Sequence, residues 1–148
     1  IDCVQDPLVG AYILTTNNNK IDYSTVCNIL CNTTSKTKFN IKKGLDLTGH
    51  ELFSHIIPKG INAIKKKDGK INFQIKDGDI LKGILDKNSL SFKKNSIIHF
   101  IWDKFGADKT KNFIDDTQRL ILEYLMYNGL TYFILLSIIS VMSNNSII

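Results

Sequence analysis

Apolar positions change period twice along the chain, and the changes mark out its elements. From Thr48 to Pro58 they recur at helical spacing, with Leu52, Phe53, Ile56 and Ile57 on one face and His50, Glu51, Ser54 and His55 on the other. Thr48 followed three residues later by Glu51 makes a capping box, in which the hydroxyl accepts from the backbone at Glu51 and the carboxylate reaches back. Leu47 and Leu52 fall at the staple positions, and Pro58 stops the helix. A short, firmly bounded, one-sided helix is predicted.

After Pro58 the period becomes alternating. Ile61 to Lys66 and Lys70 to Ile75 flank Asp68-Gly69, and Asp77-Gly78 repeats the device before Ile80 to Leu85. Asp-Gly suits a two-residue hairpin because both residues tolerate the positive φ that such turns need. Three strands in an antiparallel meander are expected. Gly83 inside the last strand marks a bulge or a close backbone contact.

Helical patterns lie on both sides of the meander. Upstream, Asp6 suits the N-cap and Pro7 the first position of a helix over Leu8 to Thr15. Thr16 to Lys20 is a polar turn. Asp22 then caps a second helix to about Cys31 that buries Val26, Ile29 and Leu30, and Asn32 to Lys43 is a loop. Downstream, Ser89 to Asn95 is a loop, and Ser96 to Trp102 begins a helix ended by Gly106. Asp108 caps the longest helix, which reaches about Asn128 and is stopped by Gly129. Its predicted buried stripe is Phe113, Thr117, Leu120, Ile121, Tyr124 and Leu125. The apolar run Leu130 to Met142 is about 13 residues, against the ~20 that a membrane span needs. It is expected not to cross a membrane, but to pack on the preceding stripe or to stay exposed. The expected class is α+β: a helical N-terminal part, a small antiparallel meander and C-terminal helices, divided into 1–95 and 96–148.

Composition narrows the picture only slightly. With 148 residues, 43% hydrophobic and 22% charged, the chain fits one ordinary globular domain. The net charge of +5 and pI near 9.1 invite a nucleic-acid reading. Arg119 is the only arginine, however, and Arg is the residue that reads bases and forks onto phosphates, so a solvated lysine surface is the favoured reading. Three cysteines, Cys3, Cys27 and Cys31, form no disulfide framework and fit a reducing compartment. Cys27 and Cys31 with His50 and His55 have zinc-ligand chemistry but helical rather than knuckle spacing, which favours packed cysteines and surface histidines. His99 beside Trp102 reads as a packed, hydrogen-bonded residue before a catalytic one. Ile1 to Gly10 lacks the basic start and apolar run of a signal peptide, and a first residue other than Met suggests an internal piece of something longer.

Several blocks resemble one family. Thr48-Gly49-x-x-x-Phe53-Ser54-x-x-Ile57-Pro58 is similar to the pore-region helix of the largest subunit of multisubunit DNA-directed RNA polymerases. The family's Gln-Asp pair followed by Gly-x-Tyr-x-x-Thr is matched at Gln5, Asp6, Gly10, Tyr12 and Thr15. The run Ile75 to Lys87 resembles its Asn/Asp-Gly-x-Leu-x-x-Gly-x-Ile/Leu-Asp-Lys segment. Ile98, His99, Ile101, Trp102, Phe105 and Gly106 match a further block, and Phe113, Asp115, Gln118, Arg119 and Leu120 match its Phe-x-Asp-x-x-Gln-Arg-Leu helix. The resemblance runs in unbroken order from Ile1 to Thr131. It then departs at the family's Gly-rich loop, of which only Gly129, Leu130 and Thr131 survive in kind. With the Lys, Asn and Ile bias and the closeness of the first block, it extends to polymerases of large DNA viruses of the poxvirus kind.

The resemblance implies a piece of the largest polymerase subunit spanning the pore and the beginning of the funnel, lining the secondary channel for nucleoside triphosphates and backtracked RNA. It also implies other polymerase subunits as partners, the second-largest above all, with DNA template, RNA and nucleoside triphosphates but no membrane. Localisation would be cytoplasm or virion for a viral protein, and otherwise nucleus or cytoplasm. Mg²⁺ belongs to the full polymerase, held by an Asn-Ala-Asp-Phe-Asp-Gly-Asp motif upstream of the Gln-Asp helix and not in this sequence. Asp115 and Asp116 point about a quarter-turn apart and cannot replace it. No catalytic residue and no metal ligand is therefore assigned, and the isolated piece is expected to be inactive. Gln5 and Asp6 are the candidates for supporting the catalytic loop from behind, although structural capping alone is the favoured reading. Two other classes stay open: a stand-alone Lys-rich nucleic-acid-binding domain, which needs its lysines gathered on one face, and a scaffold without catalysis.

Overall fold

The computed structural model describes residues 5–34 and 41–145, with side chains for 7–34, 41–129 and 136–145. Its elements run α1 (Gln5–Asn17), α2 (Tyr23–Cys31), α3 (Gly49–Ser54), β1 (Ala63–Lys67), β2 (Lys70–Lys76), β3 (Asp79–Lys82) and α4 (Ile97–Asn145). Helices flank one three-stranded antiparallel sheet in the order β1-β2-β3, which is the α+β class expected.

Local chemistry sets the short elements. The Asp22 carboxylate accepts from the Thr25 hydroxyl at 2.7 Å and from its backbone N–H at 3.0 Å. Those bonds start α2 and hold the Asp22 carboxyl below its usual range. At α3 both halves of the capping box form: Glu51 N donates to Thr48 Oγ1 at 3.3 Å, and Thr48 N donates to Glu51 Oε2 at 2.7 Å. Just before it, Leu47 pairs antiparallel with Ile21, tying the lead-in of α3 to that of α2. Both hairpin turns carry the positive φ anticipated, 52° and 77° at Asp68-Gly69 and 49° and 82° at Asp77-Gly78.

The sheet turns Ala63, Phe73, Ile75 and Ile80 inward onto α3, while α1 and α2 lie against α4. Phe53 of α3 meets Phe113 of α4 edge-on, with ring centroids 6.2 Å apart, so the capped helix is wedged between sheet and long helix. The Phe113, Thr117, Leu120, Ile121 and Tyr124 stripe is buried, with Leu125 at its margin.

Three local expectations change. α1 begins at Gln5, so Asp6 and Pro7 sit inside its first turn, where the missing donor of Pro7 still costs no intrahelical bond. Ser54 faces inward, not outward, because its hydroxyl is hydrogen-bonded into the fold. Gly129 does not stop the long helix. The break expected at Gly106 is present (φ 80°, ψ −170°), but the helix that follows continues through Gly129 to Asn145. A glycine inside a helix costs about 1 kcal/mol relative to Ala, too little to end one that meets no proline or turn cluster before Ser143. The apolar run therefore prolongs the same rod and cannot fold back on its stripe. Leu136, Ile138, Ile139, Val141 and Met142 are exposed. Among the described residues no helix is long and apolar enough to cross a membrane.

Candidate functional site

The part of the molecule with the most specific polar chemistry is the junction of α1, α3 and the sheet. Thr15, buried in α1, donates its hydroxyl hydrogen to Ala11 O at 2.8 Å and accepts from Leu85 N at 2.9 Å. Ser54, at the end of α3, donates to His50 O at 2.6 Å and accepts from Ile80 N at 2.9 Å. The His50 ring closes the set, its Nε2 lying 2.7 Å from the carbonyl oxygen of Gly83. A carbonyl only accepts, so Nε2 carries the hydrogen there. Three side chains from two helices thus satisfy backbone groups along and just after β3 that no neighbouring strand reaches.

Two glycines let these layers approach. A Cβ on Gly49 would run into the backbone oxygen of Leu14, so α3 can lie directly on α1 only with glycine at that position. A Cβ on Gly83, whose φ is 111°, would stand 2.5 Å from Phe73 Cδ2 and 2.7 Å from Asn72 O. That is the close backbone contact anticipated at Gly83. Further along, Asn62 Oδ1 accepts from Asp77 N at 2.9 Å, and Asp77 Oδ1 accepts from Gly60 N at 2.7 Å, which fixes the second turn against the start of β1.

α3 also walls an open cleft of about 1300 Å³, lined by Glu51, His55, Lys59, Asp79, Lys109 and Asp116 among others. Burial, then the nearby Lys59 charge, holds the His55 imidazole below its ordinary value, with Asp79 and Glu51 pulling it partly back. Lys59 and Asp79 make a 2.7 Å ion pair that is largely solvent-exposed and therefore contributes little stability.

Asp116 is buried, and its Oδ1 accepts from Thr34 N and Thr34 Oγ1 at 2.5 and 2.6 Å. Asp86 similarly caps Ser89. These carboxylates fasten turns. They do not converge as the oxygen cage that Mg²⁺ requires, and among the described residues no three His, Cys, Asp or Glu gather as a metal site. Cys27 is half-buried against Tyr23, whose hydroxyl it pushes up, and Cys31 is exposed. His99 Nδ1 lies 3.3 Å from Asp103 Oδ2 without an aligned hydrogen bond, a contact that is an ion pair only when the imidazole is protonated. Gln5 and Asp6 open α1, and their side chains lie outside the described residues.

Sequence reasoning missed the roles of Thr15, Ser54 and His50. A threonine on the buried face of a helix was the available signal for the first. The other two sit in a motif whose cap, apolar face and family likeness are legible in the sequence, while its periodicity places both on the outer face. The arrangement is that of a rigid wall, built by side chain-to-backbone bonds at the positions where the family-like blocks fall.

Residues 1–134 match the family described as RNA polymerase Rpb1, domain 3. The chain belongs to this family. It is 39% identical over 132 residues to DNA-directed RNA polymerase subunit 1 of Acanthamoeba polyphaga mimivirus, covering 88% of this chain and 9% of that protein. It is 29% identical over 150 residues to DNA-directed RNA polymerase subunit Rpo1N of Methanocaldococcus jannaschii, covering 88% and 11%. With the Rpo1N subunit of Methanothermobacter thermautotrophicus the identity is 24% over 144 residues, covering 86% and 16%. The chain therefore spans 9% to 16% of the length of these relatives. As an Rpb1 domain 3 chain it carries the family's likeness through α1, α2, α3, the sheet and most of α4. The exposed stretch 136–145 lies beyond the matched residues.

Proposed function

We propose that this chain works as the pore segment of the largest subunit of a DNA-directed RNA polymerase, in an enzyme of the large-DNA-virus kind. The observation that carries the reading is that a domain 3 match over residues 1–134 coincides with a wall whose motif residues, Thr15, Gly49, Ser54 and Gly83, hold helices and sheet together. Its part in RNA synthesis is positional. It lines a passage for nucleoside triphosphates and RNA, while the Mg²⁺ that drives nucleotidyl transfer is held by carboxylates outside these residues. Gln5 and Asp6, at the start of α1, support the loop that carries those carboxylates. The partners are the remaining polymerase subunits, the second-largest foremost, with DNA template and RNA in the assembled enzyme. The site of action is cytoplasm or virion.

Segment exchange tests this. Residues 1–134 replace the matching part of the mimivirus subunit, and the assembled polymerase is assayed for template-directed RNA extension. The reading expects extension by the chimera and none by the isolated 148-residue chain with Mg²⁺. A chimera that assembles but makes no RNA, or extension by the isolated chain, overturns it.

A further inference from the structure

The two hairpins of the sheet close on opposite electrostatics. At the second, Lys76 stands directly across from Asp79, an attractive pair. At the first, Lys67 stands directly across from Lys70, next to Lys66 across from Ile71. Like charges in directly opposed positions, with Cβ atoms about 5 Å apart, destabilise a hairpin. Lys66, Lys67 and Lys70 are exposed, and the ion pairs among the described residues are Lys59–Asp79 and His99–Asp103, so these three lysines have no carboxylate partner there. Lys65 instead reaches back to Asn88 O at 3.2 Å, bracing the hairpin against the loop that follows β3.

Solubility alone does not explain the pattern. Lysine on an edge strand guards against unwanted strand pairing, which accounts for Lys65 to Lys67 on β1. It does not account for Lys70, which lies on the central strand β2 and faces a lysine. The Asp-Gly turn, with positive φ at both residues, fixes the backbone so that Lys67 and Lys70 share one face of the hairpin and Lys66 takes the other, which surrounds the tip with positive charge; a ligand that neutralises it has the lysine side chains left to order.

We propose that the β1–β2 hairpin tip is a contact for the sugar-phosphate backbone of nucleic acid, made by Lys66, Lys67 and Lys70. The partner class follows from the donors. Ammonium groups bind phosphates as point charges and read no sequence, and the hairpin tip has no arginine that would fork onto a base edge. The proposal rests on the hairpin's charge and register and holds whether or not the chain works inside a polymerase.

The test measures binding of the 148-residue chain to a labelled oligouridylate, and to a DNA duplex of equal length, across a salt series. Lys66→Gln/Lys67→Gln/Lys70→Gln is compared with the charge-matched Lys42→Gln/Lys43→Gln/Lys111→Gln. With single-strand release of roughly 0.7 counterion per phosphate, the hairpin variant should lower the slope of log K against log salt by about 2 and lose about tenfold or more at low salt. The control variant should stay within about twofold of wild type. A melting midpoint equal to or above that of wild type shows that the hairpin variant is folded, since it relieves the Lys67–Lys70 repulsion. Equal losses in the two variants, no measurable binding by the wild type, or displacement of the oligouridylate by polyglutamate at equal charge overturns the proposal. The last result would assign the hairpin to an acidic protein surface.

Discussion

The junction around α3 and the far end of α4 are both built from apolar residues at helical spacing, yet they end up in opposite environments. In α3, a six-residue helix, Leu52 and Phe53 are fully buried, and Thr15, Ser54 and His50 at the junction each have a backbone partner from beyond their own helix. In α4, a far longer helix, Leu136 and Met142 are 65% and 67% exposed. Length and hydrophobicity therefore do not decide which segment belongs to the core. What decides is whether the sequence supplies partners for the backbone that comes to lie against the segment. Thr15, Ser54 and His50 do so at the junction, while residues 136–145 extend past every other element.

The comparison breaks most visibly at Gly83. Gly83→Ala forces a side chain into left-handed backbone and onto Phe73 and Asn72, so urea denaturation should show a loss of about 3 kcal/mol. A loss under about 1 kcal/mol means that the close approach is not needed.

Next comes the polar pinning. Thr15→Val keeps the shape but leaves the buried Leu85 N–H without its acceptor, and should cost about 2 kcal/mol in the same measurement. Ser54→Ala should behave alike through Ile80 N–H.

A smaller effect is expected from pH. His55 has its folded pKa below the ordinary value near 6.5, so the unfolded chain binds its proton first as pH falls. The contribution is fully present above about 6.5 and is lost as pH falls from there through the folded pKa. Chemical denaturation at a series of pH values should show this decline, reduced in His55→Gln. An identical profile in the variant would remove His55 from the account.

The smallest effect on stability belongs to the exposed arm. Truncation after Gly129 should leave the unfolding free energy within about 0.5 kcal/mol while raising solubility, read by sedimentation of concentrated samples. A large loss of stability would mean that the arm packs after all.

What the sequence revealed follows the range of each interaction. Thr48 with Glu51, Asp22 with Thr25 and the two Asp-Gly turns act within a few residues, and all were legible. Thr15 meets Leu85 across 70 positions, and Thr34 meets Asp116 across 82, so no local pattern announces either. The two glycines of α4 show the same limit. Gly106 breaks the helix because its backbone turns to positive φ. Gly129, which precedes an apolar run and looked like the stop, is absorbed. Nothing in a one-dimensional pattern separates those outcomes at a residue without a side chain. The site was legible as a family likeness at Thr15, Ser54 and Gly83, but the bonds that give those residues their purpose needed three dimensions.

Native-state hydrogen exchange tests the central claim, that side chain-to-backbone pins make the junction one rigid unit. The amides of Ile80 and Leu85 should exchange only through global unfolding, with opening free energies equal to that from denaturation, and Thr15→Val should release Leu85 selectively. Exchange of Ile80 and Leu85 as fast as that of the exposed Asp68-Gly69 turn would contradict it.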